Sequence, residues 1–518
     1  MTTPPDIPAS TSPRWRAAVE VALIFLVFFI EGAWPVPDVN EPYYLGKAIH
    51  YWNPAWVEGD FFLETADTHR VFNLAFGWLS LALSPPALAW TGRAITWGLL
   101  AWAWRRLSVA VVPRPWFAVL TAALFAAGVD RLHMAGEWVI GGVEAKGFAY
   151  VFVLLAAESR VRSQWRRVWI WVGLASLFHV LVGGWTGVAM GFAWLIAGKD
   201  RPTLRSMAPA LAAGIAISLP ALVPALRLDA GVTPKVAGYA HEIYFMRIGH
   251  HLDLLQFPPA FVARFAVQSL VFAGLAWWLA ALKWRPELKG LRDFVTGSLA
   301  IAGLGALINL AAPWNRAGAA HLLRFYWYRL SDAMVPLGAA LLAAALIDRL
   351  LASRARSAKC VLTFAIVLAG LHVGHYAAIR PIPVEPRSHP GPGYMSWRMA
   401  CDWIAHSGRI PEGAVFITPR YSATFKWYAR RAEVANWKEI PQDAASIVQW
   451  WARLRDLHGD PTDPSAWRDS LGELDEGQLR ALGEKYGADY LITEANPPLK
   501  KLKWVYKNQG YRIYRLKD

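Results

Sequence analysis

Charge is scarce in this sequence, and cysteine is almost absent. Of 518 residues only 18% are charged, while 55% are hydrophobic. That composition is too apolar for an ordinary soluble protein, and the chain is too long for a single core. Two cysteines, Cys360 and Cys401, cannot make a disulfide framework and read as free thiols. No CxxC, HExxH, P-loop or GxGxxG pattern occurs, so redox, zinc-peptidase, NTPase and dinucleotide motifs have no support. The net charge is +15, yet no basic face on a soluble module accompanies it, which argues against nucleic acid as a partner.

What the sequence does have is a series of apolar runs approaching the roughly 20 residues that span a bilayer. They fall at 17–34, 86–104, 109–128, 141–158, 168–183, 185–198, 207–226, 260–283, 294–312, 325–348 and 360–378. These predict about eleven transmembrane helices, within a range of 11–13. The first run follows a polar, Pro-rich start with no small-residue cleavage site and reads as a retained anchor. Residues 70–84 are apolar but short and stop at Pro85-Pro86. They read as an amphipathic or re-entrant helix at the outer surface.

Lys and Arg set the orientation. With the N-terminus cytoplasmic, the inside segments hold about twice as many as the outside loops before residue 379, for example Arg105, Arg106, Arg160, Arg162, Arg166 and Arg167. The expected place is the inner (plasma) membrane, multi-pass, with the C-terminus outside. Four parts follow: a cytoplasmic N-terminus (1–16), a transmembrane body (17–378) with its first outer loop at 35–70, a Pro-rich linker (379–393) favouring an extended connector, and an extracytoplasmic α/β domain (394–518). In the last, MSWRMACDWIAHS has helical spacing and AVFIT reads as a strand. TPRYSATFKWYARR returns to helix, ADYLITE is a strand, and KLKWVYKN with GYRIYRL reads as a closing strand pair.

Polar residues gather at the outer ends of the runs. Asp38, Glu41, Glu58, Asp60, Glu64, Asp67 and His69 lie in the first loop; Asp130, His133, Glu137 and Glu144 in the second; His241, Glu242, Arg247, His250 and His251 in the third; Arg316, His321, Arg324, Arg329 and Asp332 in the fourth. A carboxylate partly desolvated at the water–lipid boundary gains basicity and can take a proton from a hydroxyl. Two or three together can hold Mg²⁺ or Mn²⁺. Arginines at the same depth can clamp a phosphate. A polyprenyl-phosphate-linked sugar fits both halves, with its phosphate among the headgroups and its chain in the lipid bilayer.

The string Asp38-Val-Asn40-Glu41-Pro42-Tyr43-Tyr44-Leu45-Gly46-Lys47-Ala48 and the following GDFFLETADTHRVFNLAFGWL resemble the first outer loop of the C-type (GT-C) polytopic membrane glycosyltransferases. The likeness is concentrated in residues 17–104. The GGVEAKGFAY and RFYWYRLSD segments also resemble bacterial polytopic proteins of unassigned function. The resemblance implies a GT-C-like fold and sugar transfer from a polyprenyl-phosphate donor to an extracytoplasmic hydroxyl by inverting single displacement. Glu41 or Asp38 would be the base. Arg324 and Arg329, with His321 or Arg316, would steady the phosphate, and Tyr43 and Tyr44 would line the site. Glu144 would assist or ligate a metal together with Asp38 or Glu41. Asn40 departs from the pattern, standing where many members have the first acid of a pair.

Blander readings stand beside these. Asp38 and Glu41 can cap a helix start. Glu144 and Lys146 can form a local ion pair, and Arg329 can pair with Asp332 three residues on. His179 reads as an interhelical hydrogen-bonding residue with a turn at Gly183-Gly184, and adjacent His250-His251 point apart on a helix. Two other classes remain: a transporter or flippase, and a non-catalytic scaffold with the GT-C-like fold. A single outward cavity holding Asp38, Glu41, Glu144 and Arg324 favours the enzyme over the scaffold.

Overall fold

The structure, a computed structural model of the chain, describes residues 13–517 apart from 284, 381–384, 390–392, 464 and 500. Most of the N-terminal segment 1–16 and part of the linker therefore lie outside the described residues. Each of the eleven apolar runs falls on a helix: Arg14–Gly32, Pro85–Val111, Phe117–Leu132, Ala145–Val161, Trp165–Phe178, Val180–Ile196, Leu204–Leu226, Pro259–Ala281, Pro286–Ala311, Arg329–Ala352 and Ser357–Ile379. Five are long and apolar enough to cross a membrane by length and composition: Leu204–Leu226, Pro259–Ala281, Glu287–Ala311, Arg329–Ala352 and Ser357–Ile379.

Their burial differs sharply. The apolar window of Arg329–Ala352 is 89% buried within the protein, against 17% for Leu204–Leu226 and Ser357–Ile379. The Leu-Gly-Ala-Ala-Leu-Leu-Ala-Ala-Ala stretch explains this, because small side chains let neighbouring helices approach closely. The peripheral helices turn apolar side chains such as Leu270, Trp277 and Phe364 outward, as lipid contact requires. Charged residues within the bundle are paired: Glu20 accepts from Arg105 at 2.8 Å, Glu158 from Arg106 at 2.8 Å, and Asp293 from Arg160 at 3.3 Å.

Residues 70–84 form a seven-residue helix, Arg70–Phe76, and a 3₁₀ turn, Gly77–Leu81. Twelve residues cannot cross some 30 Å of hydrocarbon, so the segment stays on one side. The predicted turn at Gly183-Gly184 is displaced. The chain breaks at His179, which is extended (φ −149°, ψ 103°) and accepts from the Val182 N–H at its Nδ1. Gly183 instead sits within the next helix, where an added Cβ would lie 2.1 Å from the Ser176 backbone nitrogen. Gly183→Ala is therefore expected to force Trp165–Phe178 and Val180–Ile196 apart and cost about 1–3 kcal/mol. Thermal unfolding of the purified variant in detergent checks this, and an unchanged melting temperature would refute it.

The tail is α/β, as its sequence predicts. Its sheet has the order β2-β1-β3-β5-β4, with β1 Val415–Ile417, β2 Ala432–Glu433, β3 Tyr490–Glu494, β4 Trp504–Lys507 and β5 Tyr511–Arg515. Strand β1 pairs parallel with β2 and β3; β5 runs antiparallel to β3 and β4. Tyr394–His406 is helical, but the helix expected over 418–431 shrinks to Phe425–Ala429. Two further helices, Ala444–His458 and Glu476–Tyr486, are capped by Asp443 and Asp475. Where described, the linker is strapped to the body rather than running free: Ser388 Oγ donates to the Pro37 carbonyl at 2.6 Å. Cys360 and Cys401 are both free thiols.

Candidate functional site

The loop that follows the first apolar helix turns into the helix Glu41–Trp52, with Pro42 in its first turn. Asp38 and Glu41 do not cap it; both are wholly buried in ion pairs. Arg93, two turns into Pro85–Val111, grips Glu41 from Nε to Oε1 and from Nη2 to Oε2, each at 2.7 Å. The Val143 and Asp38 backbone N–H groups complete the Glu41 carboxylate at 3.0 and 2.7 Å. Arg387 of the linker holds Asp38 in the same forked manner at 2.8 and 2.7 Å, with Val39 and Gly142 N–H at 2.9 and 3.1 Å. Burial raises the Asp38 carboxyl, but the Arg387 guanidinium more than offsets it and holds Asp38 below its ordinary value. Gly142 permits this meeting, since a Cβ there would lie 2.9 Å from the Asp38 Cβ.

Asn40 looks the other way. Its side-chain amide donates to Glu144 Oε1 at 2.8 Å. Glu144, immediately before the Ala145–Val161 helix, faces Lys146 at 3.6 Å; Lys146 reaches Glu137 at 3.2 Å, and Glu137 faces Arg329 at 3.3 Å. The Lys146 ammonium also lies over the Trp138 ring, and Arg329 over Tyr326. Burial raises the Glu144 carboxyl above its ordinary value, with Lys146 and the Asn40 amide only partly offsetting it. Asp332 does not pair with Arg329; it accepts instead from the backbone N–H groups of Met134, Ala135 and Glu137, fixing the loop that carries Glu137. A cavity of about 230 Å³ opens beside this group, lined by Trp34, Val39, His133, Glu137, Trp138 and Arg387 among others.

The remaining candidates lie elsewhere. Arg324 is bound to Asp229 at 3.2 Å and to His241, and His321 meets His241 at 3.2 Å. Arg316 is exposed at the start of Arg316–Leu323. Among the described residues, no hydrogen bond or ion pair joins Arg324, His321 or Arg316 to Glu41, Asp38 or Glu144. Tyr43 and Tyr44 pack edge-on, and Tyr44 adjoins the His69 ring at 5.0 Å. Neighbouring His250 and His251 keep their rings 4.1 Å apart, and His251 Nδ1 contacts the Ala135 carbonyl.

Sequence reasoning passed over Arg93 and Arg387, and named Asp67 and His69 without pairing them. Arg93 carried a signal, being an ionisable residue within an apolar run. Asp67 and His69 did not: their ring-to-carboxylate contact, Nδ1 to Oδ1 at 3.1 Å, depends on the loop's path. As for a metal, the carboxylates expected to hold Mg²⁺ or Mn²⁺ are already engaged by guanidinium, ammonium and amide donors. Among the described residues no group of three His, Cys, Asp or Glu side chains is placed to hold an ion. The donor set does not fit, and no step below uses one.

The tail meets the first loop at a second buried charge cluster. Lys426 faces Asp60 at 3.2 Å and Glu433 at 2.9 Å, and donates to Glu439. Asp60 Oδ2 also accepts the Glu433 backbone N–H at 3.1 Å. Three carboxylates share one ammonium. Burial, opposed by Lys426 and reinforced by Glu433 and Asp60, pushes Glu439 up to about 8. A carboxyl that keeps its proton in the folded state to about 8, but loses it in the unfolded chain near 4.5, stabilises the fold progressively less as pH rises through that window. The melting temperature is expected to fall between pH 6 and 9 in the wild type and to flatten in Glu439→Gln. Parallel curves would refute the assignment.

A protein-family model described as a domain of unknown function, DUF6798, matches residues 395–457 in the first half of the tail. No curated protein matches the chain. Among solved structures, the chain is similar to the Archaeoglobus fulgidus oligosaccharyltransferase tethered with an acceptor peptide containing the NVT sequon. The identity is 12% over 93% of this chain and 69% of that one, with a TM-score of 0.46. It is also similar to ArnT from Cupriavidus metallidurans bound to undecaprenyl phosphate, at 14% identity over 97% of this chain and 98% of that one, with a TM-score of 0.44.

Proposed function

We propose that this membrane protein is a glycosyltransferase, moving a sugar from a polyprenyl-phosphate donor to an acceptor hydroxyl at the outer face of the membrane. The observation that carries the reading is the buried chain Asn40–Glu144–Lys146–Glu137–Arg329, which gathers cations and a basic carboxylate directly behind the first outer loop. Lys146 and Arg329 supply charge for a phosphate, and Arg329 can do so with a fork. Glu144, raised by burial and held by Asn40 on one oxygen, is suited to take the acceptor proton.

The step balances without a cofactor. The acceptor hydroxyl gives its proton to Glu144, and its oxygen bonds to the anomeric carbon from the face opposite the phosphate. The bond from that carbon to the phosphate oxygen breaks, and its electron pair stays on the phosphate, stabilised by Lys146 and Arg329. One displacement inverts the configuration. The phosphate leaves without a general acid.

Glu41 and Asp38, the bases implied by the resemblance, take a different part in this reading. Each already accepts two guanidinium and two backbone hydrogen bonds, leaving little lone-pair capacity for a proton from substrate. They fix the loop that presents Asn40. In the same reading, Asn40 in place of an acid serves as the amide that orients Glu144. Sugar transfer from radiolabelled polyprenyl-phosphate sugars, by the purified chain in lipid with membrane extract as acceptor source, is the test. Transfer from one donor is expected; none from any donor would overturn the proposal.

A further inference from the structure

The cavity of about 230 Å³ adjoins the candidate site through shared residues. Glu137, which faces Lys146 at 3.2 Å and Arg329 at 3.3 Å, forms part of its wall. So do Val39, next to Asn40, and Arg387, which holds Asp38. The space lies where Arg14–Gly32, Phe117–Leu132 and Ser357–Ile379 meet the loops at 34–39 and 133–140. It is smaller than the roughly 300 Å³ at which pockets begin to take drug-sized ligands, so it suits a single ring rather than a longer chain.

Its wall carries hydrogen-bond acceptors with unused capacity. His133 Nδ1 lies 2.9 Å from the Val129 carbonyl; a carbonyl only accepts, so the proton sits on Nδ1 and Nε2 keeps its lone pair. No hydrogen-bond partner meets that Nε2 among the described residues. Glu137 is 2% exposed, and its Oε1 accepts no hydrogen bond among the described residues, although Lys146 stands at ion-pair distance. Asp130 pairs with Arg131 at 2.8 Å, which leaves most of the roughly four lone-pair positions of its carboxylate open. Between these groups the wall is aromatic, from Trp34, Trp138 and Tyr376. The guanidinium on the wall, Arg387, is already forked onto Asp38.

Such a wall binds a ligand that brings donors. A sugar ring does so: its hydroxyls donate to the acceptors, and its C–H faces lie against the rings. A carboxylated sugar brings an anionic group with lone pairs only, which Glu137 and Asp130 cannot satisfy, and burying it there is costly. We propose that this cavity seats the sugar of the lipid-linked donor, that Asp130 and His133 determine specificity by hydrogen-bonding its hydroxyls, and that the seat takes neutral sugars and rejects uronic acids. The inference rests on the polyprenyl-phosphate reading above. It places Glu137 at the junction between the cations that steady the phosphate and the ring that the phosphate carries.

Binding of undecaprenyl phosphodiesters to the purified full chain in nanodiscs tests it. The probes carry glucose, galactose, mannose, arabinose or glucuronic acid, and a methyl ester with the same phosphodiester charge and no sugar is the reference. At least one neutral sugar lipid is expected to bind about tenfold tighter than the methyl ester, the contribution of one or two hydrogen bonds, and the glucuronic acid lipid no tighter than the ester. Asp130→Ala and His133→Phe should each remove most of that gain, with methyl-ester binding within about twofold of wild type. Equal losses for sugar lipid and ester would make the two residues structural and overturn the assignment. So would a gain that survives both substitutions, no neutral sugar above the ester, or glucuronic acid bound as tightly as the best neutral sugar; in each case the ester still binds and the donor reading stands. No binding of any of the lipids by the wild type sinks both. Should Asp130→Ala fail to fold, His133→Phe decides.

Discussion

Glu41→Ala is expected to destabilise the chain by about 3–5 kcal/mol, the usual consequence of removing one partner from a buried ion pair. The Arg93 guanidinium would lose both forked bonds in a place with no access to water, and the Val143 and Asp38 N–H groups would each lose an acceptor. Arg93→Ala should cost a similar amount, because it strands the opposite charge. The double substitution should cost clearly less than the two singles together, since neither charge is then left alone. Thermal unfolding of the four proteins in one detergent measures the cycle. If Glu41→Ala melted with the wild type yet lost all transfer, Glu41 would be a chemical group rather than a structural one. The first sequence-based assignment would then return.

Glu144→Gln should leave the fold intact and reduce transfer by about 10²–10⁴-fold, the range for removing a general base. Glutamine keeps the shape and can still accept from Asn40, but it has no carboxylate to take a proton. Binding of undecaprenyl phosphate should stay within a few fold of wild type, which separates lost chemistry from lost substrate. In the wild type the rate should rise with pH as Glu144 ionises, over a range above that of an ordinary glutamate because burial raises it. Transfer by Glu144→Gln within tenfold of wild type would move the base elsewhere. His69 is then the next candidate: Asp67 contacts its Nδ1 at 3.1 Å, and the ring lies against Tyr44 and His179.

Much of the architecture was legible in local sequence. Run length placed eleven helices, and the short apolar stretch before Pro85 was read as an amphipathic or re-entrant helix. The tail's β1, β3 and the β4–β5 pair came from alternation and turn residues. Three local readings moved. The break between two helices lies at His179 and not at Gly183-Gly184, because Gly183 is needed where the helices touch. The helix expected over 418–431 narrows to five residues. The Pro-rich linker, read as an extended connector, carries Arg387 back onto Asp38.

The candidate site divides along the same line. Sequence placed Asp38, Glu41, Glu144, Arg324 and Arg329 at the ends of the apolar runs, since run boundaries and charge positions are local facts. Which of them meet was not local. Glu41 is paired with a residue 52 positions away and Asp38 with one 349 positions away, while Asn40 finds Glu144 across 104. Arg324 leaves the set for Asp229 and His241. The sequence alone determined a multi-helix membrane body with polar residues at the helix ends and an α/β tail, because hydrophobic length and periodicity act over a few turns of chain. Only the tertiary structure decided which carboxylates are locked by arginine and which meet an amide or an ammonium instead, because a buried charge takes the partner that folding brings within about 3 Å, however distant in sequence.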